Sequence, residues 1–503
     1  MEQTKQSRPI RRVVIAGGGT AGWMVAAGLS KSLGKRLDIK LIESDEIGTV
    51  GVGEATIPTL MNFHHLMEID EREFMAETMA TFKLGISFEN WRNVNEDYIH
   101  SFGTTGTDHW TAGFQHFWHK GRERGLAGDY GDYCLELKAS LQNRFAHLPK
   151  AGMNYAYHMD AGRYAKFLRK FSERYGVQRI EGKIAEVRKD LIGGDIRALR
   201  LDSGAELEGD LFIDCTGFRA LLIGETMGVG YEDWSHWLFN DSAVALQTKS
   251  VGEAVPLTRA IGREAGWQWR IPLQHRTGNG IVYSSRYTDD DTALRTLQAN
   301  VEGEALTAPR VIRFKPGQRH QTWKGNCIAI GLASGFLEPI ESTSIHLIQR
   351  GIIRLMQMFP TDGISQADVD EYNKQAETEI HHIRDFIILH YNVTNRRDTQ
   401  YWRDAASMKV PASLQHRIDL FRETGRVFRI PNELFAENSW IQVMLGQGIM
   451  PRQHHQTADL MGDEELAHFL GSIATSIDRT VAQLPQHEQY VQRYCAGTGW
   501  QEI

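Results

Sequence analysis

The chain has 503 residues, 41% of them hydrophobic, so it is long enough for about three domains and for a well-packed core. Its 56 Lys and Arg residues against 63 Asp and Glu residues give a net charge of −7 without blocks of like charge, so no nucleic-acid partner is expected. The four cysteines are far apart and no apolar run approaches the roughly 18 residues of a membrane helix, so we expect a soluble cytoplasmic protein without disulfides or a membrane span.

A nucleotide-binding turn is predicted near the N-terminus, where a β-branched strand opens into glycines and an alanine-rich helix. Gly17, Gly19 and Gly22 have the G-x-G-x-x-G spacing, which permits a tight turn, a close approach to a diphosphate and close packing of helix on strand. The start of the helix then offers free N–H groups. A second strand, residues 37–42, leads to Glu43, whose carboxylate would accept hydrogen bonds from a ribose.

A glycine-rich stretch follows at residues 48–58. It is predicted to be a loop, either a surface connection or a segment that lies against the far end of the cofactor. Residues 71–89 carry apolar side chains at helical spacing and are predicted to form one amphipathic helix. Lys83 falls beside the apolar stripe of that helix. Its amine either reaches out to water or is a functional amine whose pKa is lowered by desolvation.

Aromatic and histidine side chains are concentrated in residues 98–158. His100 and Phe102 are two residues apart in an extended segment, so they lie on one side of it, and a histidine in this setting is most often a core residue. The histidines of residues 109–158 do not form a helical H-x-x-x-H pair. Packing and substrate lining are therefore predicted ahead of metal binding, and no metal site is expected.

Strands resume after a helix predicted at residues 160–175. Residues 184–188 and 196–201 predict a β-hairpin or meander. Residues 210–218 form an apolar strand that ends in Thr-Gly, the pattern with which flavoproteins of the glutathione-reductase type return to the nucleotide sheet. Strands that alternate with helices favour an α/β architecture with a parallel sheet, into which the intervening residues are inserted.

Two tryptophans mark the next strand. Trp267 and Trp269 point to the same face, and Pro272 either ends the strand or confines it to a sheet edge. Two large rings side by side form a wall, which is expected in a core or in a lid.

An anion site is predicted where the chain re-enters the sheet. Residues 327–333 form a buried strand, and a Ser- and Thr-rich stretch leads from it to a helix over residues 345–358, whose free N–H groups can hold an anion. Glu338 and Glu341 stand beside this site as surface capping carboxylates or as functional acids. From residue 366 onward the pattern is mostly helical, with breaks at 409–411 and 446–451, and predicts a cap over the cofactor domain.

Four motifs together resemble the flavin-dependent tryptophan halogenase family. They are the glycine turn, Lys83 in Thr-Phe-Lys-Leu-Gly, the W-x-W-x-I-P element that begins at Trp267, and Phe336-Leu337-Glu338-Pro339-Ile340-Glu341-Ser342-Thr343. The glycine turn is common to related flavoproteins, whereas the tryptophan element with the placed lysine and glutamate is specific to the family. The matches run from about residue 10 to about residue 350.

The resemblance implies an α/β fold with a Rossmann-type FAD-binding domain of the glutathione-reductase and p-hydroxybenzoate-hydroxylase type, an inserted β segment and a C-terminal helical cap. Residues 1–350 would form the FAD-binding and catalytic domain, with substrate-lining segments inserted at about 90–180 and 230–320. Residues 351–503 would form the cap and contribute to the substrate site.

The resemblance also implies a reaction. Reduced FAD and oxygen would oxidise chloride or bromide to hypohalous acid, which crosses a tunnel to Lys83, where the halogen is presented to a small aromatic substrate. Glu341 would polarise the halogenating species and take the proton from the ring. A separate flavin reductase would supply FADH2 by diffusion, because the tryptophan pair walls the flavin away from a nicotinamide. The family resemblance also allows a homodimer.

These roles are carried to individual positions. FAD would contact Gly17, Gly19, Thr20, Ala21, Gly22, Glu43, Gly53, Ala55, Val187, Leu332 and Ile345. The halide would bind the main-chain N–H groups of Thr343 and Ser344, where Ser344 replaces the glycine usual in the family. The substrate and the tunnel would be lined by His100, Phe102, Trp267, Trp269 and Ser342.

Two alternatives stay open at this point. A single-component aromatic hydroxylase on the same fold would bind NAD(P)H itself, and a non-catalytic FAD-binding protein would need neither Lys83 nor Glu341. Residues 445–455 lack the adjacent tyrosines and the glutamate with which family members clamp free tryptophan. An indole-like substrate without the amino-acid zwitterion is therefore predicted, since a desolvated ammonium there would have no counter-charge.

Overall fold

The chain is described by a computed structural model over residues 9–47, 53–109, 111–148, 152–191 and 193–496. Its strands are β1 (Arg12–Ala16), β2 (Asp38–Glu43), β3 (Gly53–Ala55), β4 (Thr81–Lys83), β5 (Gly85–Glu89), β6 (Asp97–Ser101), β7 (Ala156–Asp160), β8 (Gln178–Glu181), β9 (Ile184–Lys189), β10 (Ile196–Leu201), β11 (Glu206–Glu208), β12 (Leu211–Asp214), β13 (Tyr231–Asp233), β14 (Ser242–Thr248), β15 (Leu257–Arg263), β16 (Gly266–Pro272), β17 (Thr277–Tyr283), β18 (Arg310–Arg313), β19 (Gly317–Arg319), β20 (Trp323–Lys324), β21 (Cys327–Ala329) and β22 (Gly335–Phe336).

The helices surround these strands and become dominant after residue 343. They are α1 (Thr20–Leu33), α2 (Thr59–Met67), α3 (Glu71–Glu77), α4 (Phe114–Glu123), α5 (Leu135–Leu141), α6 (Ala161–Arg174), α7 (Asp290–Asn300), α8 (Ser344–Gln357), α9 (Gln366–Asn392), α10 (Gln400–Ser407), α11 (Ala412–Thr424), α12 (Glu437–Gly446), α13 (Asp463–Gln483) and α14 (His487–Cys495). Among the residues described, none of the helices has the length and apolar character that a bilayer span requires.

A six-stranded sheet in the order β20-β21-β12-β1-β2-β8 carries the glycine turn. β1 lies at its centre, parallel to both β12 and β2, and every residue of β1 after Arg12 is buried. A parallel strand covered on both faces has no exposed side, which explains its continuous apolar run. The predicted parallel sheet, and the return of the chain to it at β12 and β21, are confirmed.

A small antiparallel meander, β9-β10-β11, follows α6 and β8, as the sequence predicted. A larger seven-stranded sheet has the order β18-β14-β17-β16-β15-β5-β6, in which only the pair β15 and β5 is parallel. β16, the strand with the two tryptophans, lies inside this sheet between β15 and β17. Pro272 therefore ends an interior strand and does not mark an edge, because it lacks the N–H that a continuing ladder needs.

The predicted helix over residues 71–89 is wrong. α3 ends at Glu77, and Met79 has a positive φ of 53°, a left-handed conformation that stops a right-handed helix. Two short strands follow, of which β4 pairs with β7 and β5 with β15. Lys83 is the last residue of the fully buried strand β4, so it lies in a sheet and not on the stripe of a helix.

The glycine-rich stretch 48–58 also differs from its predicted loop. Gly53–Ala55 form the strand β3, which pairs antiparallel with β7, the strand that β4 pairs on its other side. Three residues are enough to form a strand here because the longer strand β7 supplies the hydrogen-bonding partners. Residues 48–52 lie outside the described residues.

The C-terminal helices share a core with the seven-stranded sheet. Ile383, Phe386 and Ile387 of α9 belong to the same buried cluster as Trp267 and Trp269. α8 runs through the residue-350 position at which a domain boundary was predicted, so no break in structure separates the two parts there. The predicted helix breaks fall between α10 and α11 and after α12, as expected.

A pair of glycine substitutions tests the packing of the first turn. A Cβ at Gly22 would lie 1.9 Å from the carbonyl oxygen of Gly17, whereas a Cβ at Gly19 would meet nothing within 4 Å. We expect Gly22→Ala to lower the free energy of unfolding by about 1–3 kcal/mol, because a clash with the main chain outweighs the gain of about 1 kcal/mol in helix propensity.

Gly19→Ala is the matched control and should unfold like the wild type, since its φ of −74° suits alanine. Thermal unfolding of the ligand-free protein measures both effects. Equal stability of the two variants would contradict the role given to Gly22.

Candidate active site

A cavity of about 810 Å³ opens at the carboxyl ends of β1, β2, β12 and β21, where α/β sheets bind their ligands. Side chains of the seven-stranded sheet close its opposite wall. The lining includes Gly17, Gly18, Gly19, Thr20, Ala21, Glu43, Glu54, Ala55, Ile184, Thr216, Trp267, Trp269, Leu332, Ser342, Ser344 and Ile345. The volume lies at the upper end of the range for ligand cavities and suits a dinucleotide.

The glycine turn has the shape of a diphosphate site. Gly17 has a φ of 105°, and a Cβ there would lie 2.3 Å from the carbonyl oxygen of Cys215. Gly19 lines the cavity and leaves open space where a side chain would stand. α1 begins at Thr20 without a side-chain cap, so its first N–H groups and its positive dipole end face the cavity. These residues therefore fit an anionic dinucleotide.

Glu43 lies at the cavity wall, but its carboxylate already has protein partners. Trp23 Nε1 donates to it at 3.2 Å and Arg179 Nε at 2.5 Å. Gly18 is required beside it, because a Cβ there would lie 1.7 Å from Glu43 Oε2. A ribose hydroxyl that binds here would thus share the carboxylate with Arg179.

The other predicted FAD contacts fall into two groups. Thr20, Ala21, Ala55, Leu332 and Ile345 line the cavity, and Gly53 begins the strand that contains Ala55. Gly22 lies behind the turn, where it packs against Gly17. Val187 packs on the core beneath the meander β9-β10-β11, while Ile184, at the start of β9, lines the cavity in its place.

Lys83 is fully buried, with 0% of its surface exposed. Its Nζ donates to the carbonyl oxygen of Thr56 at 3.0 Å and to Ser342 Oγ at 2.8 Å, and it lies 5.1 Å from the centre of the Phe102 ring. Burial lowers the pKa of Lys83 to about 7, although the negative charge of Glu341 opposes the shift. The amine is thus neutral in a large fraction of molecules near neutral pH, and it does not reach solvent.

Glu341 is equally buried and lies between two imidazoles. His100 Nδ1 is 3.0 and 2.9 Å from its two oxygens, and His390 Nε2 is 2.8 Å from Oε1. Burial by itself would raise the pKa of Glu341, but the charge and hydrogen bond of His100, together with the contact of His390, outweigh it and hold the pKa at about 2. Glu341 is therefore an anion inside the protein.

The structure brings together most of the residues predicted for the substrate side. We call this group the lysine cluster, which consists of Lys83, His100, Phe102, Glu341 and Ser342. His100 and Phe102 face the same space, as their spacing predicted. Ser342 also lines the cavity, so its hydroxyl stands between the cavity and the Lys83 amine.

The start of α8 has donors without acceptors. Thr343 occupies the N-cap position, but its hydroxyl caps nothing, is buried, and has no hydrogen-bond partner among the described residues. In that same part of the chain, no acceptor is recorded for the N–H groups of Thr343 and Ser344. Ser344 lines the cavity. A small anion at this point would therefore be surrounded by hydrogen-bond donors.

The tryptophan pair forms one side of the cavity, with ring centroids 6.2 Å apart. Trp267 Nε1 donates to Glu338 at 2.8 Å, and the ring of Trp269 lies over Gly280, where a Cβ would come within 2.0 Å of it. Glu338 also accepts from Tyr391 and is 1% exposed. Glu338 and Glu341 are thus buried acids, which excludes the alternative that they cap the helix from the surface.

Two residues of the site were missed by the sequence analysis. His390 lies in the last turn of α9 next to apolar residues, and no local pattern separates it from a core histidine. Its Nδ1 lies 2.8 Å from the hydroxyl of Tyr98, which in turn accepts from Gln447 at 3.2 Å. Glu54 is the middle residue of β3 and lines the cavity, where burial raises the pKa of its carboxyl to about 7.

The segment after α12, residues 447–455, is engaged in contacts within the protein. Gln447 donates to the hydroxyl of Tyr98 and to the carbonyl oxygen of His390. His454 contacts carboxylates on α4 and on the turn after itself. The segment itself contains no acidic side chain.

Comparison with known proteins gives consistent results. A family model named tryptophan halogenase matches residues 12–463. The structure is similar to Xcc4156, a flavin-dependent halogenase from Xanthomonas campestris, with a TM-score of 0.96 and 67% identity over 97% of this chain and 99% of that one. It is also similar to BrvH, a flavin-dependent halogenase from Brevundimonas sp. BAL3, with a TM-score of 0.93 and 43% identity over 96% and 99%. Tryptophan 7-halogenase RebH from Lentzea aerocolonigenes is 37% identical over 83% of this chain and 82% of that protein.

The buried lysine makes stability depend on pH in a defined direction. Between its folded pKa of about 7 and its ordinary value of 10.5, Lys83 keeps its proton in the unfolded chain and loses it in the folded protein. Folding then releases a proton, so the free energy of unfolding rises with pH across this window, by at most about 1.4 kcal/mol per pH unit.

We expect the difference in stability between the wild type and Lys83→Met to grow in favour of the wild type as pH rises through that window. Urea unfolding at several pH values measures the difference, and the variant cancels the titration of all other groups. A difference that is independent of pH would show that Lys83 keeps its ordinary pKa.

Proposed function

Because the chain belongs to the tryptophan halogenase family of flavin-dependent enzymes, we propose that it halogenates an electron-rich, indole-like ring at Lys83 with chloride or bromide. The family and the α/β FAD-binding fold predicted from the motifs are both confirmed. The observation that carries the proposal is the buried amine of Lys83. It is hydrogen-bonded to Thr56 and to Ser342, and Ser342 separates it from the cavity.

The cavity fits the cofactor of this family. The glycine turn and the start of α1 would hold the diphosphate of FAD, and the tryptophan pair would cover the far side of the cavity. Reduced FAD, when bound, would supply with oxygen the oxidising equivalents that convert a halide to hypohalous acid. Residues 1–350 would carry this site, and residues 351–503 would cover its substrate side.

The start of α8 is proposed to bind the halide. The N–H groups of Thr343 and Ser344 and the free hydroxyl of Thr343 are neutral donors without protein acceptors, so they would be available to a halide. The wall residue Ser344 would shape access to this place, because it carries a side chain where the family usually has glycine.

Lys83 is proposed to receive the electrophilic halogen and to present it to the ring. The amine is buried and its pKa is lowered to about 7, so a neutral, nucleophilic fraction exists near neutral pH. Phe102, 5.1 Å away, limits the space on one side of the amine. Because the amine lies in a buried cluster, hypohalous acid that reaches it would react there and would not diffuse into water as an unselective oxidant.

Glu341 is proposed to take the proton that leaves the ring. The cationic ring formed by addition of halogen is a strong acid, so a carboxylate is basic enough even with a pKa of about 2. His100 and His390 fix the carboxylate in place and keep it ionised. The negative charge of Glu341 also stabilises the positive charge that develops on the substrate.

The electrons are proposed to come from outside the protein. A separate flavin reductase would release FADH2, which reaches the cavity by diffusion. The chain carries one dinucleotide fingerprint, at Gly17 to Gly22, so the pure protein with FAD should not consume NADH. Steady consumption would favour the single-component hydroxylase.

The role of Lys83 can be separated from flavin chemistry. We expect Lys83→Ala to abolish halogenation while oxygen still reoxidises the reduced flavin at the wild-type rate, because the lysine acts after the halide is oxidised. Lys170→Ala, at a surface lysine with 68% exposure, is the matched control and should halogenate normally.

Product formation is followed by mass spectrometry and reoxidation by flavin absorbance. If Lys83→Ala instead forms the same product at the wild-type rate, the role assigned to Lys83 is wrong.

Glu341→Gln should fold normally and halogenate roughly 10²-fold more slowly, as expected for the loss of one acid–base group.

The substrate preference follows from the segment at residues 445–455. The segment has no acidic side chain of its own, so an ammonium brought there would lose its water without a counter-charge from the segment, at a free-energy cost of at least a few kcal/mol. We therefore expect bromination of indole to exceed that of free tryptophan in an equimolar mixture, with halogen at C3, the most nucleophilic carbon of an unclamped indole.

RebH, whose name states tryptophan as its substrate, serves as the control enzyme in the same mixture. Products are quantified by chromatography and mass spectrometry. A clear preference of this protein for tryptophan, with halogen on the benzenoid ring, would show that a clamp for the amino acid exists elsewhere in the site.

A further inference from the structure

A second cluster of ligand-type side chains lies where α4 meets the segment after α12. His119 and Glu123 are one turn apart on α4, so they project from the same face of the helix. His454 approaches them from the C-terminal segment. One ligand atom from each of the three residues lies within 4.8 Å of the others. The spacing of histidines within residues 109–158 could not reveal this group, because one member comes from far along the chain.

His119 has an unsatisfied imidazole. Only 6% of the residue is exposed, and its Nδ1 is buried without a hydrogen-bond partner among the described residues. Its Nε2 lies 3.9 Å from Glu123 Oε1, which is too far for a hydrogen bond. A buried polar group that lacks a partner is uncommon in a folded protein and usually marks an unseen partner.

His454 lies between two carboxylates, Glu123 and Asp459. Its Nε2 lies 2.9 Å from Asp459 Oδ1, and donation of a proton there leaves Nδ1 as an acceptor. Nδ1 in turn lies 3.3 Å from Glu123 Oε2, a carboxylate oxygen. Two acceptors this close require a proton or a cation between them. A carboxylate behind a histidine is also the common support of a metal ligand.

The neighbouring lysine does not fill this gap. Lys120 Nζ donates to the carbonyl oxygens of Ala458 and Met461, at 2.9 and 2.7 Å, and lies 3.9 Å from Asp459. It therefore offsets the charge of Asp459 without standing between the three ligand atoms.

We propose that His119, Glu123 and His454 bind a divalent transition-metal ion of the zinc class, with Asp459 orienting His454. Two imidazoles and one carboxylate are a donor set that suits zinc. The ion ties α4 to the segment after α12. It is independent of the halogenation chemistry and stabilises the contact between these two parts of the chain.

Zinc titration of the tag-free protein, loaded with FAD and first treated with a chelator, tests the proposal. In competition with a chromogenic chelator, the wild type should bind one equivalent of Zn²⁺, and its Tm should rise. His454→Gln should weaken binding by roughly 100-fold or more, and Asp459→Asn by about 10–100-fold, as for other supporting residues. His236→Gln, at an exposed histidine outside the cluster, is the matched control and should bind like the wild type.

Glu123→Gln is a second variant that should fold normally, because this side chain is 51% exposed and its replacement leaves the core intact. It should lose tight binding and the zinc-dependent rise in Tm together. The proposal is overturned if the wild type shows no saturable equivalent, or if His454→Gln and Glu123→Gln both bind Zn²⁺ with the affinity of the wild type.

Discussion

The structure depends on keeping a buried amine and a buried carboxylate close together without letting them neutralise each other. Lys83 donates to the neutral oxygens of Thr56 and Ser342, whereas Glu341 contacts two imidazoles. The amine and the carboxylate therefore each have partners of their own. A direct ion pair in this dry region would raise the pKa of the amine and fix its proton. Because the contacts are divided in this way, the lysine can act as a nucleophile while the glutamate stays ionised.

This division requires residues from distant parts of the chain. The amine comes from β4, the carboxylate from the turn before α8, and one of the two imidazoles from α9. Ser342 has a positive φ of 59°, an uncommon conformation for a residue other than glycine, and it is held at the wall of the cavity by the turn on one side and α8 on the other. The local backbone strain thus coincides with the point that joins the cavity to the lysine cluster.

The sequence predicted the parts of the fold that are marked locally. Glycine spacing, β-branched runs and the Trp-x-Trp strand are short-range patterns, and the parallel sheet, the meander and α8 agree with them. The helix over residues 71–89 was wrong beyond Glu77 because two short strands, separated only by Leu84, placed apolar residues by chance at helical spacing. His390 could not be found for a different reason: a histidine in the last turn of a long helix carries no sign of the glutamate that it contacts from another element.

The order of strands in the six-stranded sheet determines when the protein can fold during synthesis. β1 leaves the ribosome early, yet its neighbour β12 begins at Leu211 and the next strand outward, β21, begins at Cys327. Pairing of strands so far apart closes large loops and is slow, and apolar strands stay unpaired in the meantime. The nascent chain can pair β1 with β2 early, but the other edge of β1 stays open until β12 has been made, and the edge of β12 stays open until β21 follows, so the growing sheet depends during this period on protection from aggregation.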